Sequence, residues 1–285
     1  MFHSLVICTK NRPSELLRLI NELASMSPAF NEVVIIDSSE QGKALDLPVN
    51  VGTTPILAIN VEVNLAQARN IGIRLINNEC QIVHFVDDDV SFSPDYLLNV
   101  NIFFENNPSA SAVTGLDQNL AAQKSLKIRL IRLYCDITKS KGIFSRFGFN
   151  FGNYKPGSIY KVDWMPGCNM IVRSNVLQSV KFTETDNLTF CEDLVFGLDL
   201  TRNFEAYFCH DILYTHHLSP LNRSFSKYKK LESARYNLTF LLSNYPRHIN
   251  SFIIKIRLTI ITLKINVIEL KYRLLRYSDK FKDIP

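Results

Sequence analysis

Gln81-Ile-Val-His-Phe-Val-Asp87-Asp88-Asp89-Val90 is an apolar run that ends directly in three consecutive carboxylates. Its apolar part, Ile82 to Val86, has the length and composition of a strand buried on both faces. Side chains alternate along a strand, so Asp87 and Asp89 leave on one face and Asp88 on the other. Two carboxylates aimed at one point repel each other unless a cation lies between them. A hard divalent ion, shared with the phosphates of a substrate, satisfies such a pair. The plainer alternative is a solvated acidic turn before Ser91 and Pro94.

Upstream, Leu5 to Cys8 is a first buried strand, followed by the turn Thr9-Lys-Asn-Arg-Pro13. Pro13 and Ser14 open a helix whose apolar positions Leu16, Leu17, Ile20 and Leu23 follow the helical period. Glu32-Val-Val-Ile-Ile-Asp37 is a second buried strand that again ends in a carboxylate. A short strand is expected around Ile56 to Ile59, and a capped helix from Asn64 to about Asn78. Downstream come a helix from Pro94 to about Asn106 and strands over Ala110 to Thr114 and Asn169 to Val172. This alternation predicts an α/β domain with a mostly parallel sheet covered on both faces. Ligands of such sheets bind outside the carboxyl ends of the strands, where Asp37 and Asp87 to Asp89 lie. Neither G-x-G-x-x-G after the first strand nor G-x-x-x-x-G-K-[ST] occurs. With only 10 Gly in the chain, phosphate binding falls to a metal and to Arg or Lys.

The 285 residues suffice for one sizeable core with an appendage. Net charge is +5 but unevenly placed: Arg223 onward carries 14 Lys and Arg against 4 acids, and the preceding 222 residues carry 18 against 23. A basic tail on a mildly acidic body points to contact with phosphates. The six cysteines are scattered without a CxxC pair, which suggests core residues in a reducing cytoplasmic compartment. The N-terminus lacks the basic and cleavage features of a signal peptide, and no apolar run reaches the ~20 residues needed to span a bilayer.

Six stretches together carry a resemblance: Val6-Ile-Cys-Thr-Lys-Asn-Arg12, Val33-Val-Ile-Ile-Asp37-Ser, Asn64-Leu-Ala-Gln-Ala-Arg69-Asn70, Phe85-Val-Asp87-Asp88-Asp89, Val162-Asp-Trp-Met-Pro-Gly-Cys-Asn-Met170 and Phe190-Cys-Glu192-Asp193. In this order and spacing the chain resembles the family-2 glycosyltransferases of GT-A fold, over roughly residues 4 to 220. The resemblance implies a catalytic domain over residues 1–222 with a Rossmann-like, mostly parallel sheet, and a helical extension over 223–285. It also implies inverting transfer of a sugar from a nucleotide diphosphate sugar to a glycan or lipid-linked acceptor, in the building of a surface polysaccharide or related glycan.

Residue by residue, the resemblance assigns Thr9, Asn11 and Arg12 to the nucleotide sugar and Asp37 to the base. Arg69 would lie near the base or diphosphate. Asp87 and Asp89 correspond to the DxD motif, with Asp89 the more direct ligand of Mn²⁺ or Mg²⁺ and Asp87 or Asp88 nearer the ribose. Glu192 and Asp193 open a helix, where acids are ordinary; the family places its base in such a pair, and Asp193 is preferred over Glu192. A metal- or diphosphate-binding His is expected at His216, with His217 as the alternative. Leu120 to Lys161, with a helix over Ser125 to Ile137, is either a surface insertion or an acceptor-facing lid. Transmembrane helices and a Gln-x-x-Arg-Trp motif, the marks of a processive synthase, are missing, and a nucleotidyltransferase would have a glycine-rich turn at Thr9 to Pro13. The remaining rival is a non-catalytic nucleotide-sugar-binding or scaffolding protein of the same fold.

In the tail, a helix over Ser224 to Asn244 ends at Pro246, and Ile249 to Tyr277 forms a long second helix. One apolar stripe runs from Ile253 through Ile256, Ile260, Leu263 and Val267 to Leu274, another from Ile254 through Leu258, Ile261 and Ile265 to Leu275. A seven-spaced line of Arg257, Lys264 and Lys271 lies between them. So wide an apolar face calls for a partner: an anionic membrane surface on the inner face, the domain itself, or the same helix of a second subunit. Nucleic acid is disfavoured, because aromatics do not alternate with the charges.

Overall fold

The computed structural model describes residues 1–40, 46–122, 158–185, 191–219, 226–247 and 250–280. The expected helix over Ser125 to Ile137, the lid built on it and Cys135 lie outside the described residues. The chain forms two compact units: Met1–Phe144 with Asn150–Thr185 and Glu192–Leu221, and Asn222–Pro285 with Ser145–Phe149 and Asp186–Cys191.

The first unit is built on a ten-stranded mixed sheet flanked by helices. Its strands are β1 (His3–Thr9), β2 (Glu32–Asp37), β3 (Asn50–Val51), β4 (Thr54–Asn60), β5 (Ile82–Asp87), β6 (Val90–Phe92), β7 (Ala112–Asp117), β8 (Ile159–Val162), β9 (Met170–Arg173) and β10 (Ala206–His216). The order is β3-β4-β2-β1-β5-β9-β7-β10-β6, with β8 also paired to β10. Strand β1 lies parallel to both β2 and β5, and the register sets Thr9 beside Asp37 and Cys8 beside Asp87. The carboxylates at two strand ends are thereby brought to one edge of the sheet. On its other side β5 pairs antiparallel with β9, so the segment entering β9 arrives at the same edge.

Alternation puts Leu5, Ile7, Val33 and Ile35 in one core and Val6, Val34 and Ile36 in the other, one on each face of the sheet. Helix α1 (Pro13–Leu23) buries Leu16, Leu19, Ile20 and Leu23, whereas Leu17 is 42% exposed. The expected stripe is corrected here: at 100° per residue, position 17 rotates off the face on which 16, 20 and 23 lie, and position 19 rotates onto it. Helix α2 (Leu65–Leu75) starts with a reciprocal capping box between Asn64 and Gln67 and stops three residues short of Asn78. Its Gly72 rests on β1, where a Cβ would meet Val6 Cγ1 at 2.4 Å. Helices α3 (Tyr96–Asn106), α4 (Gln118–Ala122) and α5 (Glu192–Leu200) also belong to the described part of the unit. Strand β7 begins and ends later than the predicted Ala110 to Thr114.

A buried polar relay runs beneath the first core. His3 Nδ1 lies 2.9 Å from His84 Nε2, His3 Nε2 3.0 Å from Asn101 Oδ1, and His84 Nδ1 3.2 Å from the Tyr96 hydroxyl. Asn169 Nδ2 donates to that hydroxyl oxygen at 2.8 Å. Neutral rings protonated on Nε2 satisfy every link, with the hydroxyl donating to His84, His84 to His3 and His3 to Asn101. Burial holds His3 down at about 4 and His84 well below its ordinary range.

The second unit contains α6 (Lys227–Asn244), capped by the Ser226 side chain, and α7 (Ser251–Lys280). Ile254 and Ile265, from the second apolar stripe of α7, are buried, and the Tyr228 hydroxyl of α6 donates to Glu269 of α7 at 2.8 Å. Among the described residues no helix is long and apolar enough to cross a membrane.

Candidate functional site

The three acids of the opening motif part company where β5 ends. Asp87 and Asp89 turn toward His216, and one ligand atom from each of these three residues lies within 4.8 Å of the others. His216, the last residue of β10, sets Nε2 3.0 Å from Asp89 Oδ1. The other Asp89 oxygen accepts the Ser219 backbone N–H at 2.9 Å, and the Asp89 carbonyl accepts that of His217 at 2.8 Å. Of the two candidate histidines, only His216 joins the cluster; the His217 ring pairs with Ser91 Oγ at 2.7 Å.

Burial raises the Asp87 carboxyl, and Arg69 only partly offsets this. Burial also works against charge on His216, yet hydrogen bonds to Asp89 and Cys168 carry it up to about 10. Asp89 is fully buried, whereas the Asp87 side chain is 26% exposed. Two carboxylates and an imidazole, close together and partly open, form a donor set that suits a divalent cation. A cation there would compete with the proton for the His216 imidazole.

Asp88 takes a different role. Thr9 Oγ1 donates to Asp88 Oδ2 at 2.6 Å and Arg12 Nη1 to its Oδ1 at 2.9 Å, so the first strand and its turn are tied to the acidic motif. Burial pushes Asp88 up to about 6 despite both contacts. Arg12 also reaches Asp89 Oδ2 at 3.5 Å.

Asn11 adopts φ 53°, a left-handed conformation that Asn tolerates better than most residues, and its N–H donates to Ser39 Oγ at 2.7 Å. Asp37 Oδ1 accepts the Ser39 N–H at 2.8 Å, which fixes the same turn from the other side. Asn11, Asp37 and the Ser38-Ser39 turn therefore form one wall beside the carboxyl ends of β1 and β2.

Arg69 is enclosed, at 2% side-chain exposure. Its Nη1 donates to Glu192 Oε1 at 3.1 Å, and its Nη2 donates to the Gly167 carbonyl at 3.2 Å and lies 3.5 Å from Asp87. The guanidinium also stands over the Phe182 ring. Gly167 allows this approach, since a Cβ there would lie 2.7 Å from Arg69 Nη2. The Gly167 N–H donates in turn to Asp193 Oδ2 at 3.0 Å. Asp193 is thus joined to Asp87 by three contacts, through Gly167 and Arg69. Burial, then Glu192, pushes Asp193 up to about 7, with Arg69 opposing. Glu192 is buried and committed to Arg69, and Asp193 is the more open of the pair.

Gly167, Cys168 and Ser219 belong to the site without having been singled out in the sequence. Their roles depend on backbone groups and close approach; Gly167 and Cys168 lie within the stretch Val162 to Met170 that carries the resemblance, and Ser219 lies outside all six stretches.

The model of glycosyl transferase family 2 matches residues 4–165. Solved structures of similar fold include S. aureus TarS 1-349, at 16% identity and TM-score 0.55, covering 85% of this chain and 66% of that one. The same fragment in complex with UDP-GlcNAc matches at 16% identity and TM-score 0.54, covering 85% and 67%. The mannosyltransferase PcManGT from Pyrobaculum calidifontis, in complex with GDP-Man and Mn2+, matches at 13% identity and TM-score 0.55, covering 85% and 64%. The chain spans about two thirds of the length of these structures. No curated protein matches it.

Proposed function

The chain belongs to glycosyl transferase family 2, and from that premise we propose that it moves a sugar, with inversion, from a nucleotide diphosphate sugar to a hydroxyl of a glycan or lipid-linked acceptor, in the assembly of a surface polysaccharide or related glycan. The observation that carries this reading is a convergence at one sheet edge. Asp87, Asp89 and His216 form a cation-sized cluster there, and a single guanidinium links Asp87 to the Glu192-Asp193 pair.

In this reading the Asn11-Asp37-Ser39 wall receives the base, while Thr9, Arg12 and Asp88 bracket the sugar-phosphate portion. Arg69 acts from behind the site as the counter-ion of Asp87 and Glu192. Asp87, Asp89 and His216 would hold Mn²⁺ or Mg²⁺. The ion, when bound, supplies positive charge to the departing diphosphate. Asp193 accepts the proton of the acceptor hydroxyl as its oxygen bonds to the anomeric carbon. The bond from that carbon to the phosphate oxygen breaks on the opposite face, and its electron pair leaves with the nucleoside diphosphate. TarS 1-349 was solved in complex with UDP-GlcNAc and PcManGT with GDP-Man, which makes uridine and guanosine diphosphate sugars the first donors to try.

The test is nucleoside diphosphate release from a panel of such sugars with each ion, for the wild type and for Asp193→Asn. The proposed enzyme loses turnover in Asp193→Asn while still binding nucleotide. A protein whose behaviour is indifferent to the substitution is a binding protein of the same fold.

A further inference from the structure

The second unit presents an apolar face with no protein partner among the described residues. Helix α7 turns Ile254 and Ile265 inward, while Phe252, Ile256, Ile260, Leu263, Val267 and Leu270 stay exposed, Phe252 at 71% and Val267 at 66%. These six recur every three or four residues, so they form one continuous stripe along about five turns. An exposed row of large apolar side chains of this length is far outside the scatter of single apolar residues found on ordinary surfaces.

The charges of the unit are sorted around this stripe. Lys255 and Lys264 on α7 are exposed, as are Lys227, Lys229, Lys230 and Arg235 on α6. The acids of the unit whose side chains are described face elsewhere: Glu269 accepts from Tyr228 on α6, and Glu232 is half-buried beside the same tyrosine. If the stripe is read as a coiled-coil seam, the position after each of Ile256, Leu263 and Leu270 is basic (Arg257, Lys264 and, in the sequence, Lys271). The position before Ile260 and Val267 is Thr259 and Asn266. Across a seam with a second copy these positions would meet their own kind, or Thr and Asn. Self-association is therefore disfavoured by charge, whereas an anionic lipid surface complements both the stripe and its flanks.

We propose that α7 is a membrane-surface docking element, lying in the plane of an anionic bilayer with Phe252 to Leu270 among the acyl chains and its Lys residues at the headgroups. The proposal stands apart from the sugar-transfer reading, because it invokes none of the residues around Asp87 and Asp193.

Flotation of the full chain with vesicles tests it, using phosphatidylcholine alone or mixed with phosphatidylglycerol. The protein is expected to float with the mixed vesicles and to be released by high salt. Leu263→Gln/Val267→Gln changes only exposed positions, and should weaken flotation by about tenfold or more with helix content by circular dichroism and nucleotide binding unchanged. Lys255→Gln/Lys264→Gln should weaken it only on the anionic vesicles. Equal binding to neutral and anionic vesicles, or no binding to either, overturns the proposal. So does a concentration-dependent dimer in sedimentation that Leu263→Gln/Val267→Gln dissolves, since the stripe would then be the seam of a second copy.

Discussion

His216 Nε2 meets Asp89 Oδ1 at 3.0 Å, joining the last strand of the sheet unit to the third acid of the motif after β5. Its sequence neighbour His217 points to Ser91 instead. His216→Ala should therefore weaken Mn²⁺ or Mg²⁺ activation by about tenfold to a hundredfold, in the range seen when a metal site loses part of its support. His217→Ala should leave it nearly unchanged. Titrating ion into chelator-treated protein while following diphosphate release distinguishes the two; equal losses would contradict the assignment.

The pH profile should report Asp193. Its carboxyl is raised to about 7 by burial and by Glu192, and a base works only when deprotonated. At saturating ion, kcat/KM should rise with pH through about 7 and then level off. Glu192→Gln removes a negative neighbour, so the rise should move to lower pH with the plateau largely kept. If Glu192 were itself the base, its loss would abolish the plateau, a drop of about 10²–10⁴-fold.

Arg69 faces Glu192 and Asp87 with almost no access to water. Arg69→Leu leaves two acids without their counter-ion and should cost about 3–5 kcal/mol of stability, as other broken buried pairs do. Arg69→Lys should recover only part of this, because a single ammonium cannot span Glu192 and the Gly167 carbonyl as the planar fork does. Urea unfolding of the three proteins at neutral pH is the measurement.

The buried histidines should give the fold an acid-sensitive window. Burial holds His3 at about 4, whereas in the unfolded chain its value is near 6.5. Above about 6.5 neither state is protonated and this term is silent. As pH falls from there toward the folded value, only the unfolded chain takes up the proton, and stability drops by about 1.4 kcal/mol per pH unit for each such ring. Unfolding midpoints between pH 7.5 and pH 5 should therefore fall more steeply for the wild type than for His3→Gln. A His3 ring that titrates near 6.5 by NMR in the folded protein would contradict this.

What the sequence displayed was local. Apolar runs ending in Asp37 and Asp87 marked β2 and β5, and an N-cap Asn marked α2, because each is written in a few consecutive residues. The single-turn error at Leu17 came from the same kind of reading applied to a helix with four buried positions spread around its face. Strand β10 is harder to read in the sequence, because His210 and Asp211 break the apolar run where the pairing with β7 shifts register. Arg69 illustrates what no local pattern carries. The resemblance implied a contact with the base or diphosphate, and its enclosure depends on Glu192 and Gly167, residues that meet it only through the fold. The Gly167 bridge to Asp193 was likewise out of reach, since it is made by a backbone N–H, which every residue type but proline possesses.

Strand β10 sits between β7 and β6 although it comes last in the sheet unit. A chain emerging from the ribosome would hold β6 and β7 apart, each with an open hydrogen-bonding edge, until this final strand arrives to fill the gap. Such long-range closure is slow. The Asp87-Asp89-His216 cluster is completed in the same event, because His216 travels on that strand, so a nascent or truncated chain ending before it would have the acids of the motif without their imidazole. Catalytic competence would then be a late acquisition during synthesis, appearing only after the whole sheet has been made.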